Sequence, residues 1–150
     1  MNDLTAMSIS SAGMSAQRTR MRVIAENLAN QHTTGPDGPY QRKEVILNSV
    51  PITNFQSELD TALDGALSPA EVGNIDSVAV SDIVEDGSEP VRRYDPNHPQ
   101  ADADGYVALP NISIMREMTD MVEATRSYEA NLAVMRTTRQ MLQSVLDLLT

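Results

Sequence analysis

The chain has 150 residues and a formal net charge of −10, with no cysteine and only 3% aromatic residues. The lack of cysteine excludes a disulfide framework and cysteine-ligated zinc or iron–sulfur sites. Because so few aromatic side chains cannot fill a large core, the composition favours a small domain with helical arms over one large globular domain.

The negative charge is concentrated in the middle of the chain. Residues 1–50 carry five Lys and Arg against four Asp and Glu, residues 51–110 carry two against twelve, and residues 111–150 carry four against five. The near-neutral ends can therefore approach copies of themselves, whereas the acidic middle repels like molecules. This balance argues against binding of nucleic acid, which requires a basic surface.

The sequence also argues against a membrane span. No run approaches the roughly 18 consecutive apolar residues that a transmembrane helix needs. The first residues lack a basic segment followed by a continuous apolar segment, so we expect no cleaved signal peptide.

The first predicted element in chain order is an N-terminal helix over residues 1–30. Its apolar residues recur in alternating steps of three and four, which is typical of a helix that packs against another helix. Asn30 is predicted to end this helix, because asparagine tolerates the left-handed conformation that often follows one. The predicted interface residues on this seam are Leu4, Met7, Met14, Met21, Ile24 and Leu28.

Residues 31–110 are predicted to form a loop followed by a small, acidic, β-rich middle domain. Strands are predicted at residues 43–50, 73–85, 92–94 and 106–109, and a short acidic helix at residues 54–67.

The last predicted element is a helix over residues 111–150, with Asn111 or Ser113 as its N-terminal cap. At about 1.5 Å per residue this helix would run roughly 50 Å, so it needs another helix along it, from this chain or a neighbour. The predicted fold class is therefore α+β, with long N- and C-terminal α-helices packing as a coiled coil and a small β-rich middle domain. The predicted interface residues on the C-terminal seam are Ile114, Met118, Met121, Tyr128, Leu132, Met135, Leu142, Leu146 and Leu149.

The chemistry-bearing residue types do not form a reactive constellation. Residues 100–105 resemble part of a calcium-binding EF-hand loop, but Gln100 and Asn111 occupy positions where that loop requires acidic ligands. A turn capped by its Asp side chains is the alternative. His32 and His98 have no ligand at metal-binding spacing. We therefore predict no enzymatic activity, no cofactor and no metal site.

Three motifs follow one another along the chain. The first combines SAGM at residues 11–14 with IAENLAN at residues 24–30. The second begins with YDPNHP at residues 94–99, and the third joins EMTDM at residues 117–121 to RSYEAN at residues 126–131. The residues singled out in these motifs are Gly13, Asn27, Leu28, Asn30, Tyr94, Asp95, Pro96, Gly105, Tyr106, Tyr128, Glu129 and Asn131.

These motifs together resemble the flagellar basal-body rod proteins of bacteria, most closely the FlgC family of proximal-rod proteins. The resemblance implies a structural subunit that polymerises helically into the rod, the drive shaft that transmits torque from motor to hook. It implies that the terminal helices form an inner coiled-coil tube and that the middle domain lies outside it. It further implies copies of itself, other rod proteins and the flagellar type III export apparatus as partners, and a periplasmic location in the basal body.

Two alternatives remain open at the level of the sequence. A soluble helical-hairpin adaptor or secretion chaperone could bind a client protein through the same methionine-rich seam, because methionine adapts to varied surfaces. For Asn27 and Asn30, a specific inter-subunit hydrogen bond and simple helix termination are equally compatible with the sequence.

Overall fold

A computed structural model describes residues 3–36, 38–52 and 76–149 of the chain. The fold is α+β, with two long terminal helices and a small sheet-containing region between them. The predicted helix at residues 54–67 and the first three residues of the predicted strand 73–85 lie outside the described residues. The elements are α1 (Asp3–Ala29), β1 (Thr34–Gly35), β2 (Gly38–Pro39), β3 (Lys43–Pro51), β4 (Asp76–Glu85), β5 (Val91–Tyr94), β6 (Tyr106–Leu109) and α2 (Ile114–Leu149).

Helices α1 and α2 contact each other in an antiparallel arrangement. Near the end of α1, Asn27 is hydrogen-bonded to Glu117 at the start of α2. Fourteen residues earlier in α1, Gly13 lies against Asn131, which is fourteen residues later in α2. Two helices that each present one less polar face to the other bury those faces together, which stabilises both.

Small residues on α1 allow the two helices to approach closely. Gly13 is buried on the face of α1 that meets α2, and the small residues Ser10 and Ala16, three positions before and after it, are buried as well. A Cβ atom added to Gly13 would lie 2.8 Å from Nδ2 of Asn131, closer than real Cβ atoms come to a neighbour. The glycine is therefore explained by this helix contact, although it lowers helix propensity by about 1 kcal/mol relative to alanine.

Strands β3 and β4 form an antiparallel ribbon that packs on α1. The register runs from Lys43 opposite Glu85 to Pro51 opposite Asp76, with a shift between Ile46 and Leu47. Half-buried residues alternate with exposed ones over the first part of β3, as expected for a strand with one face against a helix. This ribbon extends the contact surface of α1 beyond the one that α2 covers.

Strands β5 and β6 form a second antiparallel pair, with Val91 opposite Leu109 and Tyr94 opposite Tyr106. Strand β6 has the predicted bounds, and β5 begins one residue before the predicted strand. Val107 is the buried residue of this pair. Among the described residues, no helix is both long and apolar enough to cross a membrane.

We predict that Gly13→Ala has different outcomes in two backgrounds. In the wild-type chain the new methyl group displaces the Asn131 side-chain amide, so the helix-propensity gain of about 1 kcal/mol is reduced. In an Asn131→Ala background the obstacle is absent, so Gly13→Ala raises the free energy of unfolding by about 1 kcal/mol. Urea denaturation of the four chains measures this coupling, and an equal effect in both backgrounds would contradict the close contact.

Candidate functional site

A buried polar cluster lies where α1 ends and α2 begins. Its centre is formed by Asn27 and Glu117, whose exposed fractions are 1% and 0%. The Asn27 amide nitrogen donates to the Lys43 carbonyl oxygen at 2.9 Å and to Oε2 of Glu117 at 3.2 Å. The Asn27 amide oxygen accepts from the Lys43 N–H at 2.9 Å and from the Tyr40 hydroxyl at 3.2 Å. All four hydrogen-bonding positions of this amide are therefore occupied.

The Glu117 carboxylate is neutralised by Arg42. Nε of Arg42 donates to Oε1 of Glu117 at 2.7 Å, a short charge-assisted hydrogen bond. The same guanidinium places Nη1 3.8 Å from carboxylate oxygens of Glu44 and Asp86. Because a buried charge is tolerated only when it is paired and hydrogen-bonded, Glu117 depends on both Arg42 and Asn27.

This cluster joins elements that are far apart in the sequence. Asn27 comes from α1, Lys43 begins β3, and Glu117 lies in the first turn of α2. An acidic side chain in a first helical turn also interacts favourably with the N-terminal end of the helix dipole. We call Asn27, Tyr40, Arg42, Lys43 and Glu117 the helix–strand brace.

Two groups of the helix–strand brace have shifted pKa values. Burial raises the pKa of Tyr40 above its ordinary 10.0, and the negative charges of Glu26, Glu85 and Glu117 raise it further. For Arg42, burial alone would lower the pKa, but the hydrogen bond and the charge of Glu117 outweigh burial and raise it. Tyr40 therefore remains a neutral donor and Arg42 remains a cation across the physiological pH range.

The sequence motifs singled out Asn27 but gave no role to Glu117, Arg42 or Tyr40. The structure places the side chain of Asn27 in contacts within its own chain. Asn30, in contrast, closes α1: its side-chain amide donates to the Glu26 carbonyl oxygen at 2.8 Å, and its amide oxygen accepts from the Thr33 hydroxyl at 3.0 Å. Glu117 could have been identified only from its position on the side of α2 that faces α1. That side is recognisable only once the register of the two helices is known.

The predicted seam residues divide into buried and exposed groups. Ile24 is buried in the core. Ile114, Met118 and Leu146 are 43%, 54% and 62% exposed. Leu4 and Leu149 belong to the terminal turns of the two helices. The half-buried members are Met7, Met14, Met21, Leu28, Met121, Tyr128, Leu132, Met135 and Leu142.

The most deeply buried line of α2 differs from the predicted seam at every second position. Glu117, Ala124 and Thr138 are buried, and Asn131 lies between the last two against Gly13. Each of these residues comes one position before a residue on the predicted line of Met118, Thr125, Leu132 and Arg139. Small residues on this buried line, such as Ala124, allow the two helices to approach closely. On the predicted line, Thr125 and Leu132 are half-buried and Met118 is exposed.

The second motif forms the hairpin of β5 and β6. The Tyr94 and Tyr106 rings meet edge to face with centroids 5.4 Å apart. Gly105 has a φ of 81°, and a Cβ atom there would lie 2.9 Å from Cε2 of Tyr94 and 3.3 Å from Cβ of Pro96. Glycine is thus favoured at position 105 for two reasons: the backbone has a positive φ, and the Tyr94 ring lies where a Cβ atom would be. The Asp95 N–H donates to the Gly105 carbonyl oxygen at 2.9 Å and completes the corner.

Asp102 caps the turn in this hairpin. Its Oδ1 accepts from the backbone N–H groups of Asp104 at 3.0 Å and Tyr106 at 2.8 Å. The capped turn that the sequence offered as the alternative to calcium binding is therefore present. In the described parts of the chain, no group of three or more His, Cys, Asp or Glu side chains could hold a metal ion.

The motif residues thus occupy three places in the fold. Asn27 belongs to the helix–strand brace, Gly13 meets Asn131 between the helices, and the second motif shapes the β5–β6 hairpin. Tyr128 is half-buried and Glu129 is exposed on α2. None of these groups has the paired nucleophile and base of a catalytic site. The arrangement holds helices and strands in fixed relative positions.

Comparisons with known proteins agree with the motifs. A family model described as the C-terminal region of the flagellar basal body rod FlgEFG proteins matches residues 103–148, and one described as flagella basal body rod protein matches residues 7–36. Several curated relatives carry the name flagellar basal-body rod protein FlgC. The relative from Agrobacterium fabrum is 40% identical over 99% of this chain and 97% of its own length. The relative from Bacillus subtilis is 41% identical over 95% of each chain, and that from Salmonella typhimurium is 36% identical over 97% of this chain and 96% of its own.

We predict that Glu117→Ala lowers the free energy of unfolding by about 3–5 kcal/mol. The substitution leaves the largely buried Arg42 guanidinium and the Asn27 amide without their shared partner. Glu123→Ala is the matched control, because Glu123 is also ion-paired on α2 but its side chain is 65% exposed. The control should change stability by less than about 0.5 kcal/mol. Urea denaturation measures both variants. Similar losses of unfolding free energy in the two variants would contradict a special contribution of the buried Glu117–Arg42 pair to stability.

We also predict that the contribution of Tyr40 to stability is lost at alkaline pH. Because folding raises the pKa of Tyr40 above 10.0, this contribution is complete below that value and falls as the pH rises through the folded-state pKa. The stability difference between the wild-type chain and Tyr40→Phe should therefore narrow between about pH 8 and about pH 11. A difference that stays constant or widens over this range would contradict the raised pKa.

Proposed function

This chain belongs to the FlgC family of flagellar basal-body rod proteins, and from that membership we propose that it polymerises helically through α1 and α2 into the proximal rod. The family consists of structural proteins and not of enzymes. In this proposal the chain transmits torque from the motor to the hook as part of a drive shaft. The observation that carries it is a helix pair anchored by a buried polar brace while large apolar side chains towards both ends of α2, among them Ile114, Met118 and Leu146, remain exposed.

The helix–strand brace suits a part that must resist twisting. A subunit transmits torque only if its elements keep their relative angles under force. The brace ties α1, β3 and α2 together through hydrogen bonds to buried Asn27 and Glu117, and rotation of one element would leave these groups unpaired. The cost of leaving such buried groups unpaired supports a rigid joint at this point.

The exposed seam residues supply a surface for subunit contacts. Ile114, Met118 and Leu146 are predicted to face other helices, and each is substantially exposed in the single chain. Full burial of a side chain of this size stabilises by about 1.5–3 kcal/mol. We propose that neighbouring subunits cover them through coiled-coil packing, which uses repeating contacts between different surfaces and so does not close into a ring.

The charge distribution supports separate positions in the rod for the terminal helices and the middle of the chain. Residues 1–30 and residues 111–150 form the near-neutral inner tube, while residues 31–110 carry the excess negative charge and lie outside it. Copies of this chain and other rod proteins are the proposed neighbours. We further propose export through the flagellar type III apparatus and a periplasmic location in the rod. A chain without cysteine needs no disulfide formation after leaving the cytoplasm.

The first test is mass spectrometry of detergent-extracted basal bodies from the bacterium that makes this chain. We expect its peptides at a fixed ratio to those of other rod subunits. Recovery only as a soluble protein outside the basal body would contradict the proposal and favour the alternative, a helical-hairpin adaptor or secretion chaperone.

We predict that Leu146→Asp abolishes incorporation into basal bodies without unfolding the chain. The leucine side chain is mostly exposed in the free subunit, but an unpaired carboxylate buried between subunits is costly. Gln143→Asp is the control, since Gln143 is an exposed polar residue in the same part of α2 outside the predicted seam. Far-UV circular dichroism checks folding, and motility on soft agar with basal-body fractionation checks assembly. Normal motility of the Leu146→Asp strain would refute the role of the seam.

A further inference from the structure

Over the residues that the structure describes, helix α2 extends past the first residue of α1. The contacts of Gly13 with Asn131 and of Asn27 with Glu117 set the antiparallel pairing of the two helices. Continuing that pairing by the ten residues between Gly13 and Asp3 brings the start of α1 level with Met141. Residues 142–149, about two further turns of α2, therefore project beyond α1. We call these residues the overhang.

The surface that α2 presents to α1 continues along the overhang. Steps of seven residues keep nearly the same helix face, and they lead from Ala124 through Asn131 and Thr138 to Val145. Ala124 is 0% exposed and Thr138 is 8% exposed, but Val145, past the end of α1, is 54% exposed. Among the described residues, this face of α2 therefore packs on α1 over most of its length but has no helix against it at Val145. The continuity of this interface indicates that the occupant of the overhang is also a helix.

A second uncovered apolar surface lies near the beginning of α2. Met115, Met118 and Val122 are all exposed and line a groove on the outer side of the helix. This groove is not the α1-facing side, because Glu117 and Ala124 are the buried positions there. We call Met115, Met118 and Val122 the outer groove.

From the overhang and the outer groove we infer that a second copy of this chain covers the overhang, by laying its outer groove along Val145 of the first. This inference rests on the proposed function and assigns the surfaces that make one of its contacts. About 40 Å of helix separates Val145 from Met118 in one chain, so a chain cannot join the two surfaces by itself. A contact between two different surfaces leaves one of each free at the ends and propagates, as a rod requires.

Charge does not oppose this contact. Residues 142–149 contain a single charged residue, and residues 111–150 carry four Lys and Arg against five Asp and Glu. In the proposed tube α2 runs along the rod axis, and copies related by a screw rotation about that axis keep the same polarity, so the two α2 helices run in the same direction. The first turns of one α2 then cover, along the overhang of the other, the face that α1 covers along the rest of that helix.

The absence of cysteine from the chain makes disulfide cross-linking a direct test. Three double variants carry Val145→Cys with Met115→Cys, Met118→Cys or Val122→Cys, and each replaces the native protein in cells that build flagella. After mild copper–phenanthroline oxidation, basal bodies are isolated and separated by non-reducing electrophoresis. A disulfide requires Cα atoms within about 7 Å, so at least one double variant should give a ladder at multiples of 16.4 kDa.

Arg22→Cys with Val145→Cys is the matched control. Arg22 is exposed on α1, at nearly the same height along the helix pair as Val122, because neighbouring Met21 contacts Thr125. The ladder from the best groove variant should exceed that from this control by at least about tenfold, since only cysteines held side by side in the native contact cross-link efficiently. Each single variant should remain monomeric under the same oxidation.

Three results would overturn the inference while leaving the proposed function intact. They are incorporation into basal bodies without any ladder above the control, a dimer formed by Val145→Cys alone, and cross-links only to a different basal-body protein. The second result would mean that two overhangs meet each other, and the third that another rod component is the occupant. Absence of the wild-type chain itself from basal bodies would instead contradict the proposed function and, with it, this contact.

Discussion

The buried pairing of Glu117 with Asn27 and Arg42 is the constraint on which the rest of the fold depends. A carboxylate with no exposed surface is stable only with its partners in place, and those partners come from the end of α1 and from the residue just before β3. The pairing therefore sets where α2 begins relative to α1 and which face it turns toward it. The hydrogen bonds between the Lys43 backbone and the Asn27 side chain also fix the β3–β4 ribbon against α1.

The helix register that follows from this brace determines which surfaces are left for other molecules. With Glu117 facing α1, the next positions on the same line are Ala124, Asn131 and Thr138, a narrow and partly polar seam suited to the small residues around Gly13. Several larger apolar side chains of α2, among them Ile114, Met118 and Leu146, are exposed. Exposed apolar side chains of this kind are expected of a subunit whose helices pack against neighbours, and they mark interaction surfaces in general.

The middle of the chain also has little apolar core among its described residues. Its strands bury little apolar surface, in keeping with the low aromatic content, and they depend on α1 or on hydrogen-bonded turns for their positions. In the β5–β6 hairpin, Gly105 makes room for Tyr94 and Asp102 satisfies two backbone N–H groups. Hydrogen bonds and the contact between the two tyrosine rings stabilise this hairpin without a buried core. Tyr94 and Tyr106 can therefore be exposed.

By itself the sequence determined the α+β class, the two terminal helices, the positions of most strands and the family, because periodicity, turn residues and ordered motifs are local properties of a chain. It also located Asn27 and Gly13 as special positions. Only the tertiary structure decided that the contact with α1 buries Glu117 and Ala124 completely and leaves Met118 exposed. A heptad pattern with apolar residues on adjacent lines is compatible with both registers, and the choice is made by long-range partners, Asn27, Arg42 and Gly13, whose approach no local pattern records.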